Sequence, residues 1–177
     1  MRLSRCVVVG NAGAAVRCET ATLLVDECSF ADNRAGVDYR GQSNGAILTN
    51  SIMWDVGGIE RNDDRSDICA SYCNVRGGWP GEGNTDVDPL FAVSGYWDAS
   101  GTPEDPSDDV WVDGDYHLRS QAGRWDPVAA RWVLDEVTSP CIDAGDPNSP
   151  VGTEPEPNGG RVNMGAYGGT TEASKSP

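Results

Sequence analysis

Two residues with nucleophile and base chemistry stand out: Cys141 in SPCIDAG and the only histidine, His117, in DYHL. A thiol nucleophile needs a base within hydrogen-bond reach and surroundings that favour the thiolate. The flanking sequence is acidic, which disfavours the thiolate, and Pro140 and Ile142 bracket the cysteine. Cys141 is therefore expected to be a buried small hydrophobe, and no catalytic residue is assigned.

Other residue types suggest binding. Asp98, Glu104, Asp105, Asp108, Asp109, Asp113 and Asp115 crowd one loop. Calcium takes six to eight oxygen ligands, so Asp105, Asp108, Asp109, Asp113 and Asp115 form the candidate calcium set, with a solvated loop as the plainer reading. The loop has neither EF-hand nor nonapeptide spacing. Trp79, Trp97, Trp111, Trp125 and Trp132 gather in the second half. Trp97 and Trp111 are the candidates for stacking on sugar faces, against the alternative of packing loops onto a core. Asp38, Asp55, Asp63, Asp64 and Asp67 in the coil region could supply a carboxylate pair, and Arg40, Arg61 and Arg65 a base, but nothing in the sequence selects among them. Six cysteines, at 6, 18, 28, 69, 73 and 141, contain no CxxC pair, so zinc is not expected. Disulfides stay open, since Cys6 and Cys28 are one repeat apart.

The elements that carry these residues follow from an internal repeat. RCVVVGN, ECSFADN, NSIMWDV and YCNVRGG align with a period near 22. Cys6, Cys28, Ser51 and Cys73 form one column. Val8, Phe30, Met53 and Val75 form a second, and Leu3, Val25, Leu48 and Ala70 a third. Asn11 and Asn33 recur at the far end of the unit. Short β-favouring runs lie between Gly, Asn and Asp turns, and no stretch carries a helical stripe. The expectation is an all-β chain of stacked coils of about 22 residues, each pairing in parallel with the next. Residues 1–78 supply the coils. Residues 79–169 are read as closing rungs with long acidic and Trp-rich loops of the same domain, including a short helix or hairpin at 122–136, a brief strand running into a turn at SPCIDAG and a last strand at RVNMGAYGG. Residues 170–177 are expected to fray.

The net charge of −15 is uneven. Ten acids against eight arginines give −2 for residues 1–78, and eighteen acids against five basic residues give −13 for 79–177. Such a surface repels nucleic acid and anionic membranes. No apolar run is long enough to span a membrane, and the opening MRLSRCVVVGNAG does not read as a signal peptide.

The xCxFxxN repeat followed by DVDPLF, GDYHL, SPCIDAG and NMGAYGG resembles the C-terminal portion of bacterial right-handed parallel β-helix repeat proteins with a pectin-lyase-like fold. The resemblance implies a non-catalytic extracellular or cell-surface segment of a larger protein that contacts polysaccharide, with the β-helix continuing upstream of Leu3. Its alternative is the C-terminal part of a polysaccharide lyase or glycoside hydrolase whose active site lies on upstream coils. No cofactor is implied beyond the candidate calcium. An Asp cluster with Arg or Lys, or an Asp–Asp pair, on one outward sheet face would favour the enzyme.

Overall fold

The structure is a computed structural model that describes residues 1–19, 21–40, 45–60 and 67–177 and the backbone of Arg61. Every regular element among them is a strand. In the first half these are β1 (Arg2–Ser4), β2 (Val7–Val9), β3 (Ala14–Cys18), β4 (Leu23–Asp26), β5 (Ser29–Ala31), β6 (Ala35–Tyr39), β7 (Ala46–Thr49), β8 (Ile52–Met53), β9 (Ile59–Arg61), β10 (Ile68–Ser71) and β11 (Asn74–Val75). They form three parallel sheets, ordered β1-β4-β7-β10, β2-β5-β8-β11 and β3-β6-β9. No helix among the described residues is long and apolar enough to cross a membrane.

The repeat columns are the pairing register. Leu3, Val25, Leu48 and Ala70 are successive partners in the first sheet. Val8, Phe30, Met53 and Val75 are successive partners in the second. Alternation along each strand sends one set inward: Leu23 and Val25 are buried while Leu24 between them is exposed. These inward side chains meet Val37, Tyr39 and Val16 of the third sheet in one core. Each fully buried apolar side chain there contributes roughly 1.5–3 kcal/mol.

The bend from first to second sheet explains the cysteine column. Arg5, Glu27, Asn50 and Tyr72 all take positive φ, between 50° and 54°. Such residues cost on the order of 1–3 kcal/mol each. The next residue is Cys6, Cys28, Ser51 or Cys73. Its Sγ or Oγ donates to the carbonyl two residues back, at 3.4, 3.3, 2.6 and 3.3 Å respectively. A short side chain with a hydrogen to give is what this corner needs. All six cysteines are free thiols. Burial pushes Cys28 up to about 11 and Cys73 up to about 12, so neither is a ready thiolate.

The bend after the second sheet carries an amide ladder. The backbone N–H and the side-chain amide of Asn11 donate to Asn33 Oδ1, at 3.0 and 2.7 Å. Asn33 repeats the move onto the carboxylate of Asp55.

The second half adds β12 (Phe91–Val93), β13 (Tyr96–Asp98), β14 (Val110–Val112), β15 (Asp115–Leu118), β16 (Arg124–Asp126) and β17 (Arg131–Val133), paired antiparallel as β12–β15, β13–β14 and β16–β17. Residues 82–85 run along the last repeat, with Thr85 bridging Asn74. The rest lies on the outward face of the second sheet. Ala31 and Ile52 there pack with Phe91, Tyr116, Leu118, Cys141, Ile142 and Met164 in a second core.

Of the helix and hairpin read at 122–136, the structure forms the hairpin, β16–β17. Three other local expectations change. SPCIDAG is a turn, because Ser139 Oγ receives the Cys141 N–H and Asp143 takes φ 54°. RVNMGAYGG is not a strand either. Its N–H groups go to Glu154 Oε1, Asn50 O and Ser29 Oγ instead of a ladder. The 170–177 tail does not fray. Ala173, Ser174 and Ser176 are buried, Asn163 Nδ2 donates to Ser174 O at 2.7 Å, and Lys175 Nζ sits 4.7 Å from the Trp132 ring centre.

Candidate functional site

The outward face of the third sheet gathers the charges. Arg17 on β3, Asp38 on β6 and Glu60 on β9 are successive register partners. Arg17 Nε donates to Asp38 Oδ2 at 3.0 Å. Arg40 Nε reaches both Asp38 oxygens, at 2.9 and 3.1 Å, and its Nη2 reaches Oδ2 at 2.9 Å. The Asp38 side chain is 4% exposed, whereas Arg17 and Arg40 are 57% and 44% exposed. The buried carboxylate therefore fixes two guanidiniums and leaves their remaining N–H groups facing solvent. Arg34, exposed and without an ion pair among the described residues, completes three cations around a groove of about 420 Å³. Ala12, Gly13, Ala14 and Ala35 line it between the charges.

Of the residues singled out by sequence, Asp38 and Arg40 fall in this groove. Asp55 does not. It is buried under Asn33, and burial pushes it up to about 6. Asp67 is exposed, with its carbonyl accepting from Ala46 N. Asp63, Asp64, Arg65 and the Arg61 side chain lie outside the described residues. Arg17 and Arg34 were not picked out by the sequence reading. The available signal was the spacing of Arg17, Asp38 and Glu60, each one repeat from the next.

Cys141 and His117 are not a dyad. Cys141 is buried, accepts from Asn74 Nδ2 at 3.2 Å, and burial pushes its thiol up to about 12. His117 is equally buried, stacks on Tyr167 at 3.6 Å, and directs Nδ1 to Asp115 Oδ1 at 2.6 Å. Asp115 Oδ2 in turn takes Arg124 Nη1 at 2.7 Å, and Arg124 reaches Asp135.

The five candidate calcium ligands are not brought together. Asp105 accepts from Ser107, Asp108 from Thr102, Asp113 from Trp111 Nε1, and Asp115 serves His117 and Arg124. Asp109 adds no shared geometry, and no metal-holding group of three acids, cysteines or histidines exists among the described residues. Trp97 and Trp111 do meet, as cross-strand partners of β13 and β14 with ring centres 5.5 Å apart. Trp111 lies against Gly10, and Trp97 stays 45% exposed. Trp125 and Trp132 repeat this edge-to-face pairing in the β16–β17 hairpin at 5.6 Å.

A protein-family model described as disaggregatase related matches residues 86–145. No curated protein and no solved structure matches the chain significantly.

Proposed function

We propose that the chain is a stretch of right-handed parallel β-helix from a secreted or cell-surface protein, and that it contacts polysaccharide without cleaving it. The single observation behind this is the guanidinium groove: Arg17 and Arg40 held by the buried Asp38, with Arg34 beside them. Guanidinium pairs bidentately with carboxylate and sulfate groups, so sugars bearing them are the fitting ligands. The three parallel sheets with a 22-residue period support the β-helix part of this reading.

One observation favours an enzyme instead. Asp38 and Glu60 are register neighbours, and strands spaced about 4.8 Å put carboxylates near the 5–5.5 Å separation of retaining glycosidases. Against it, both Asp38 oxygens are already taken by arginines. Incubation with polygalacturonate and with a sulfated galactan, followed by gel retardation and by assays for unsaturated products and reducing ends, separates the readings. Retardation with no product supports the proposal. Product release, or no retardation by either polymer, overturns it.

A further inference from the structure

A second concavity lies away from the arginine groove, where the first half meets the segment 88–137. One hollow of about 260 Å³ is lined by Trp54, Asp88, Leu90, Phe91, Ser94 and Arg119. Another of about 350 Å³ is lined by Ala92, Arg119, Leu134, Asp135, Glu136 and Val137. Arg119 lines both. Among the described residues its guanidinium makes one hydrogen bond, Nη2 to the Ala92 carbonyl at 3.2 Å.

The walls are rigidly placed. Leu90 turns the chain through a left-handed φ of 53°, braced by its N–H to Asp88 Oδ1 at 2.9 Å and by Arg119 N to its carbonyl at 3.0 Å. Trp54 is held from the next repeat, where the Arg76 guanidinium lies 5.8 Å from its ring centre. Trp54 in the first hollow, exposed Leu134 and Val137 in the second, and the Arg119 guanidinium common to both offer apolar surface and hydrogen-bond donors suited to sugar rings. The carboxylates Asp88 and Glu136 outnumber Arg119, with Asp135 already paired to Arg124, so this trough repels anionic sugars and suits hydroxyl pairs.

We infer that the Trp54–Arg119–Leu134 trough binds an extended neutral oligosaccharide, Arg119 donating to its hydroxyl oxygens and Asp88 accepting from its hydroxyls. This goes beyond the arginine groove and stands or falls separately from it. The test is affinity electrophoresis of the whole chain through separate gels of β-glucan, xylan, mannan and galactan. At least one gel should retard the wild type, and R119A, W54A and S94W, which fills the first hollow, should each weaken that retardation at least tenfold. L134D, at a 75% exposed position that carries no packing, should weaken it as well, and R17A should not. Passage through all four gels unretarded, or S94W and L134D migrating as wild type, overturns the inference. Loss of binding in polygalacturonate gels by R17A alone reports on the arginine groove and leaves this trough untouched.

Discussion

Asn33 gives both its backbone N–H and its side-chain amide to the carboxylate of Asp55, one repeat along the chain, and that carboxylate is 1% exposed. Asparagine fills the equivalent place at positions 11 and 33, so an acid here breaks the column.

The consequence is a pH dependence of stability. Burial raises the folded-state value of Asp55 to about 6, above the ordinary 3.8. The folded state therefore binds more protons between those values, so the stabilisation is full below about pH 4 and lost as pH rises through 6. Glu154, raised by burial to about 7 from 4.5, acts in the same direction over a higher window. The Asp55 effect is on the order of 3 kcal/mol. Asp55→Asn should raise Tm by several degrees at pH 7.5 and change it little at pH 4, measured by calorimetry in both buffers. A loss of equal size at both pH values would contradict this.

Ser51 tests the corner. Its Oγ donates to Thr49 O and accepts the buried Cys28 N–H at 3.1 Å. Ser51→Ala strands that N–H and should cost about 1–3 kcal/mol in urea unfolding. Ser51→Cys restores the residue found at 6, 28 and 73 and should cost less than half as much.

The tail offers a third case. Removing residues 170–177 takes away the Ser174 and Lys175 carbonyls that satisfy Asn163 Nδ2 and Ser120 Oγ. It also uncovers the face of Trp132 under Lys175. The shortened chain should unfold at least 5 °C lower and show a Trp fluorescence shift to the red. An unchanged Tm would mean the tail contributes no net stability.

Much of the first half was legible because one rule repeats. Val8, Phe30, Met53 and Val75 occupy the same environment four times over, so their spacing alone gives the register. The corner cysteines were legible as one column with Ser51, though not as donors to a carbonyl two residues behind. Arg17 and Arg34 were missed because exposed arginines look alike in a sequence; Asp38 on the neighbouring strand picks out Arg17, and only the shared groove picks out Arg34. The second half has no period to read. Its decisive contacts join residues far apart, such as Tyr116 with Asp32 at 2.7 Å and Asn74 with Cys141, and side chains rather than ladders satisfy its backbone. In the acidic loop, Asp105 and Asp108 accept from neighbours two and six residues away, a local pairing that the sequence does not display.

The most direct test of the arginine groove is a pair of substitutions with opposite signs, read by titration calorimetry against polygalacturonate. Arg34→Ala removes an exposed cation and should weaken binding three- to tenfold. Glu60→Gln removes the exposed anion beside Asp38 and should tighten it. Equal affinities for both variants and the wild type would contradict the account.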